Sequence, residues 1–368
     1  MRPATVLSCV QTIALIGWTL VAASAVQAVP ADDSSAPPVH GAAASIAAFR
    51  AVECTARGFC LGATRDGVWR STDWGASWSD SFAGSDDMVV NGVACSSRVC
   101  IAYGGYAGPI SITQTGGWIA TSSDDGLSFG EPADQSYPVW AASCGSSRCT
   151  AISREDDLLS PDHVILRSEG IADIWTGYSF DKIGISPARV ELKDVACASE
   201  SVCVAVGADW DPIIRLTFAS LRPTYTKACG LLDSACWTEM KAVDCFGTTC
   251  VGVGWNGHTD RPVGGRILVS NSSGRTWVTR ARYKTAVLTD ASCVSAKICV
   301  AVGRAGLTLR TTDSGRTWTR VTSPTRSFLW SVSCLPTGQC VAAGDDGSVI
   351  YSGTSGSAWR LRSVFQGN

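Results

Sequence analysis

Asp194 and Asp290 each stand three residues ahead of a cysteine, in the matching stretches KDVAC and TDASC. Two carboxylates held a fixed distance apart are the minimal apparatus for hydrolysing a glycosidic bond. Glu191 and the acidic run Glu155-Asp156-Asp157 are further candidates for such a pair. The position four residues before each such cysteine reads Arg50, Asn91, Trp140, Lys193, Lys241, Thr289 and Trp330 along the chain. Cations and indoles around one opening would suit an anionic or sugar-like ligand, through charge-assisted hydrogen bonds and ring stacking. Trp255, which opens the longer stretch WNGHTDRPVGG, joins them. The candidate ligand-binding set is therefore Arg50, Trp140, Lys193, Lys241, Trp255 and Trp330. The competing reading is that these side chains plug a channel or face solvent.

Other chemistries find no support. There is no nucleophile elbow, zinc-binding H-E-x-x-H, phosphate loop or dinucleotide fingerprint in a suitable context. The chain has 3 histidines, and His258 has no clustered partner. Asp345-Asp346 reads as a hairpin turn. Asn271-Ser272-Ser273 is a formal glycosylation sequon, meaningful only in a eukaryotic secretory pathway. No metal and no cofactor are expected. A net charge of −2 over 368 residues gives no global pull toward nucleic acid or an anionic membrane.

The elements that must position these residues are written in the cysteines. Of 17 cysteines, fourteen fall into close pairs in similar surroundings. These are Cys54 with Cys60, Cys95 with Cys100, Cys144 with Cys149, Cys197 with Cys203, Cys245 with Cys250, Cys293 with Cys299 and Cys334 with Cys340. Cys229 with Cys236 makes an eighth pair. The first members of the seven similar pairs are spaced 41, 49, 53, 48, 48 and 41 residues apart. An even count in an exported chain reads as disulfides, and the intervals do not fit the two-residue spacing of metal sites. Each pair sits in a strand–turn–strand stretch such as LTDASCVSAKICVAVG, where small and β-branched residues suit strands packed on both faces. Cysteines flanking such a turn can be cross-strand neighbours, close enough to bond. Each unit continues with another strand, a polar turn and an aromatic: Trp78, Phe129, Trp175, Trp237, Trp277, Trp318 and Trp359. The repeat length is that of a four-stranded antiparallel propeller blade, which makes the chain an all-β, seven-bladed β-propeller with hairpin disulfides. The ring is expected to close with the first and last segments sharing a blade. Strand alternation is expected to put the residues four and two before each cysteine on one face.

The polar turn is clearest in TTDSGRTW, from Thr311 to Trp318, and in STDWGASW, from Ser71 to Trp78. Its aspartate accepts backbone hydrogen bonds and its glycine supplies a positive φ. SSDDGLSF from Ser122 keeps the pattern with Phe129 for tryptophan, while SNSSGRTW from Ser270 and SGTSGSAW from Ser352 lose the aspartate. This text resembles the Asp-box (BNR) repeat, S-x-D-x-G-x-x-W, of sialidases and related propellers. The resemblance covers about seven-eighths of the chain. It implies that the turns are structural and lie, with the hairpin disulfides, on the face opposite the ligand face. It also implies that the loops joining second to third strands open on the ligand face. The long ones, Gly104 to Gly117, Arg154 to His163 and Trp255 to Gly265, would form a wall there.

A sialidase would need three clamping arginines and a Tyr–Glu pair. FRAV, from Phe49 to Val52, keeps only the Phe-Arg of the family's Phe/Tyr-Arg-Ile-Pro motif, and the equivalent slots hold one arginine and two lysines. Lysine does not form the bidentate clamp. The repeat text also resembles photosystem II assembly factors, which hold partner proteins and do not catalyse. The expected function is non-catalytic binding of a protein or carbohydrate ligand on the loop-rich face, by a monomer. The alternative is a glycoside hydrolase using Asp194, Asp290 or their acidic neighbours.

The N-terminus reads as an export signal. Arg2 precedes an apolar run from Ile13 to Ala25, and Val26-Gln27-Ala28 fits signal-peptidase cleavage. Residues 1–28 are expected to be removed, 29–45 to be a flexible linker rich in Ala, Pro, Ser and Asp, and 46–368 to be the propeller. No later segment is apolar enough to span a membrane, and the chain is expected to be secreted, extracellular or periplasmic.

Overall fold

In a computed structural model the described residues are 48–364, apart from 98, 109–112, 155–162, 170–173, 180–189, 210–212, 219–223, 228–238 and 256–263. The leader, the linker, Cys229 and Cys236, Trp237, His258 and the run Glu155-Asp156-Asp157 lie outside them. The eighth disulfide expected between Cys229 and Cys236 therefore falls outside the described residues. Seven sheets of four antiparallel strands follow one another along the chain. The innermost strands are Ala51–Cys54, Met88–Cys95, Val139–Cys144, Val190–Ser199, Glu239–Phe246, Leu288–Cys293 and Leu329–Cys334. Together they make a seven-bladed β-propeller. No helix among the described residues is long and apolar enough to cross a membrane.

Composition grades each blade from the axis outward. In blade six the second strand, Cys299–Gly303, is CVAVG and wholly buried, while the fourth, Thr319–Val321, is TRV and largely exposed. The second strand lies between two neighbouring blades, so both its faces must be small and apolar. The core is accordingly a set of clusters between adjacent blades. Between blades six and seven it holds Val300, Val302, Leu329, Val332 and Ile350.

Every blade is built from consecutive strands, so the first and last segments do not share one. The ring closes by packing. Phe49, Val52 and Cys54 of blade one bury against Val341, Ala343 and Val349 of blade seven. Phe49 N donates to Gly344 O at 3.1 Å, Val52 N to Ser331 Oγ at 3.2 Å and Cys54 N to Ser333 Oγ at 2.9 Å. These bonds at the seam take the place of a shared sheet.

The seven hairpin pairs are disulfides. Cys54 bonds to Cys60, Cys95 to Cys100, Cys144 to Cys149 and Cys197 to Cys203. Cys245 bonds to Cys250, Cys293 to Cys299 and Cys334 to Cys340. Each joins residues directly opposite in the ladder of the first and second strands.

The Asp-box turns lie beside these hairpins: Ser314 N donates to Lys297 O at 3.0 Å and Ser355 N to Gly338 O at 2.8 Å. Within a turn, Asp313 accepts from Thr317 N at 2.9 Å and Thr317 Oγ1 at 2.6 Å. Where the aspartate is lost, a hydroxyl takes over: Thr276 N donates to Ser272 Oγ at 3.0 Å and Ala358 N to Thr354 Oγ1 at 3.1 Å. The turn glycine is required twice over. Gly315 has φ +76°, and a Cβ there would stand 2.6 Å from Val269 of the preceding blade. An arginine on the third strand completes the contact between blades: Arg70 Nε donates to Asp125 O at 2.8 Å, Arg215 Nε to Ser273 O at 2.9 Å and Arg310 Nε to Ser355 O at 2.6 Å.

Candidate ligand-binding site at the channel mouth

The inner strands surround a cavity of about 400 Å³ on the axis. Arg50, Trp140, Lys193, Lys241 and Trp330 all line it, together with Glu53, Asp194, Asp244 and Asp290. Trp255 is not part of the wall; its ring lies 4.3 Å from Lys241 Nζ.

A β-bulge aims these side chains. In blade five Met240 pairs with Gly254 and Ala242 with Val253, which leaves Lys241 outside the ladder. The same shift leaves Asn91, Trp140, Lys193, Thr289 and Trp330 unpaired. The expected alternation is therefore interrupted: Met240, five before the cysteine, packs in the same cluster as Val243, two before it, while Ala242 packs on the other side. A bulge bends the strand and redirects its extra side chain. In blades five and six it also requires a glycine on the second strand. A Cβ at Gly303 would lie 1.9 Å from Val287 O, and one at Gly254 2.0 Å from Glu239 O.

On blades three to five the rim is an alternating chain of charge. Arg154 pairs with Glu191 at 2.8 Å, Glu191 with Lys193 at 3.4 Å, Lys193 with Glu239 at 3.0 Å, and Glu239 with Lys241. Each end rests on an indole: Arg154 Cζ is 4.6 Å from the Trp140 ring, and Lys241 covers Trp255. Burial pulls the Lys241 ammonium down to about 8, with Lys193 adding to the effect. For Lys193 burial acts in the same sense, but Glu191 and Glu239 outweigh it and raise the value. The two lysines expected as free ligand cations are thus held by glutamates. Arg154 and Glu239 are site residues that sequence reasoning misses. Their signal is the repeated Glu-x-Lys of VELKDVAC and TEMKAVDC, which puts a glutamate two residues before each rim lysine.

On blades seven and one the rim is different. Trp330 is 41% exposed, stacks on Phe328 with centroids 4.2 Å apart, and donates Nε1–H to Asp345 at 2.6 Å. Arg50 is exposed and makes no ion pair among the described residues. Desolvation by the channel wall around its stem, then nearby Arg65, lower its pKa, while Asp66 acts in the opposite sense.

Deeper in the channel the carboxylates link blades. Asp194 accepts from Val195 N and from Val243 N of the next blade, both at 2.8 Å. Asp244 accepts from Cys245 N and from Cys293 N of the next blade, both at 2.7 Å. Asp290 accepts from Ala291 N at 2.7 Å, Val332 N at 2.8 Å and Ser331 Oγ at 2.9 Å. Burial raises all three, Asp244 to about 6, Asp290 to about 7 and Asp194 well above its ordinary range, where the charge of Asp290 contributes. Glu53 is raised to about 8 by burial and by Asp244 and Asp290, and bonds to Ser333. Serines make the same link with less charge, as in Cys334 N to Ser292 Oγ at 3.0 Å.

No family model matches this chain, and no curated protein sequence matches it. Solved structures do. A GH74 xyloglucanase from Xanthomonas campestris superposes with TM-score 0.65 at 11% identity, over 86% of this chain and 54% of the enzyme. The chain thus spans about half that enzyme's length. YCF48 from Cyanidioschyzon merolae gives TM-score 0.57 at 13% identity over 83% of this chain and 95% of its own. YCF48 bound to D1 peptide gives 0.59 at 15% identity, over 84% and 92%. These are likenesses of fold. One neighbour is an enzyme and the other holds a peptide, so the fold alone leaves the activity open.

Proposed function

We propose that this chain is an exported, non-catalytic propeller that holds a partner at the channel mouth, with Arg50 and Trp330 as its anchors. The observation that carries the reading is the bonding of Asp194, Asp244 and Asp290. Both oxygens of each accept hydrogen bonds, one of them from the next blade. A carboxylate so engaged is poorly placed to pass a proton or attack a sugar, because either act would break a link between blades. Arg50 offers a planar fork without an ion-pair partner among the described residues, and Trp330 offers a rigid amphipathic surface already fixed in place. Such anchors bind at low entropic cost. The peptide held by the YCF48 neighbour supports a protein partner, with a carbohydrate as the other ligand this rim chemistry suits. Lys193, Lys241 and Trp140 form a pre-set rim across from the anchors, with Trp255 behind Lys241. Export follows from the leader at residues 1–28, and seven disulfides fit an oxidising compartment. The chain acts as a monomer, with 29–45 as a flexible N-terminal linker.

The hydrolase reading keeps one observation in its favour: Glu53 is a raised carboxyl in the channel that is not one of the doubly bonded aspartate links. The test is a peptide array and a glycan array probed with the mature chain, with chromogenic glycosides assayed in parallel. Binding that falls at least tenfold in Arg50→Ala and Trp330→Ala, at unchanged melting temperature, supports the platform. Turnover abolished by Glu53→Gln would replace it with a hydrolase.

A further inference from the structure

The seam between blades seven and one carries a second feature, on the face away from the channel mouth. In blades one, four and six a third-strand arginine reaches a turn carbonyl of the next blade. In blade seven that position is Tyr351. Its ring lies 6.1 Å from Trp74, in the Asp-box turn of blade one. Trp74 occupies a left-handed slot, φ 62°, filled by Asp125, Ser273, Ser314 and Ser355 in other blades.

Tyr351 is opposite Arg360 in the ladder. Arg360 Cζ stands 4.9 Å and Arg362 Cζ 4.6 Å from the Tyr351 ring centroid. Neither arginine pairs with a carboxylate among the described residues. Arg362 Nε is buried and has no hydrogen-bond partner among them. The nearest aspartate in the facing turn, Asp73, is engaged by its own loop through Ser71, Ala76 and Ser77. A cavity of about 320 Å³ opens beside them on blade seven, lined by Tyr351, Gly353, Thr354, Ala358, Trp359 and Arg360, with Arg362 and Trp74 outside its wall.

We infer that this pocket is a second ligand site, for a sulfate or phosphate ester on a small ring carrier. Two guanidiniums against one phenol ring, neither paired with a carboxylate among the described residues, leave a local excess of positive charge that an anion would neutralise. Arg360 lines the pocket and Arg362 stands behind it against the same ring, and a guanidinium fork suits a tetrahedral oxyanion. The volume matches a single sugar-sized carrier and falls at the low end for ligand pockets. Trp359 supplies the apolar wall such a carrier stacks on. The site is distinct from the channel mouth and stands independently of the function proposed there.

The test is calorimetric titration of the full chain with glucose 6-sulfate, glucose 6-phosphate and glucose. Both esters are expected to bind and glucose is not. Replacing Arg360 and Arg362 together by alanine is expected to weaken ester binding at least tenfold. The double lysine variant is expected to weaken it by a smaller factor, because lysine keeps charge but not the fork. Arg360→Ala alone, at an exposed position, serves if the double variant melts early. Tighter binding of the sulfate or of the phosphate supports the site and identifies the source of the group. Equal heats from esters and glucose, or unchanged ester affinity in the arginine variants, would overturn it.

Discussion

Asp290 accepts the backbone N–H of Val332 at 2.8 Å across the boundary between blades six and seven. The same geometry recurs from Asp194 to Val243 and from Asp244 to Cys293. Each inner strand is an edge strand, and its outer N–H groups would otherwise face only channel water. The aspartates give them partners on the neighbouring blade, so residues that resemble a catalytic pair act as inter-blade links.

Removing such a link therefore lowers stability, not turnover. Asp290→Ala leaves Val332 N and Ala291 N without acceptors, at a cost of roughly 1–3 kcal/mol. Thermal unfolding of Asp290→Ala and Asp244→Ala checks this. Unchanged melting with an altered activity would contradict the assignment.

Acidity gives two opposed windows. The channel carboxyls of Glu53, Asp290 and Asp244 sit at about 8, about 7 and about 6 in the folded chain, against roughly 4 when unfolded. Between those limits the folded chain holds protons that the unfolded chain has released. Their stabilising contribution is full below about pH 4 and declines as pH rises through the folded values. The Asp-box carboxyls run the other way. Bonding to Ser128 holds Asp124 at about 2, and bonding to Thr317 does the same for Asp313. Their contribution is present above about pH 4 and lost as pH falls toward about 2. Melting temperature measured across the range from acid to mildly alkaline pH should peak on the acid side of neutrality. Glu53→Gln should flatten the decline at higher pH, and a maximum on the alkaline side would contradict both windows.

The bulge glycines are the least replaceable residues of the inner rings. Gly303→Ala would put a methyl 1.9 Å from Val287 O, a contact that only backbone movement relieves. The expected loss is about 3 kcal/mol or more, read from denaturant unfolding. By contrast, Gly58→Ala meets no atom within 4 Å; its cost is limited to the strain of its positive φ.

Each disulfide closes a loop of 5 or 6 residues, which the chain-entropy account values at about 2 kcal/mol. Replacing Cys54 and Cys60 by serine should lower the melting temperature by about 3 °C in a domain of this size. Because this pair lies at the closure seam, amide exchange should rise first in blades one and seven. Exchange spread evenly over all blades would count against the seam as the weak point.

Much of this was legible in the sequence. Blade number, strand order within a blade, the seven hairpin disulfides and the sets of residues at the channel mouth are local properties. They follow from periodicity, cysteine spacing and turn residues, which act over a few residues at a time. The bulge is half visible as a glycine recurring after the second cysteine. Its meaning is hidden there, because the clash it avoids is with a carbonyl on another strand.

What only the tertiary structure decided is which residues meet across blades. Lys193 and Glu239 are 46 positions apart and touch because adjacent inner strands run side by side around the axis. The closure without a shared blade, the amide links of Asp194, Asp244 and Asp290, and the stacking of Arg360 and Arg362 on Tyr351 beside Trp74 are of the same kind. A sequence specifies each blade through its own hydrogen-bond ladder. The partners of its side chains are set by packing one blade on the next, and that geometry exists only once the ring has closed.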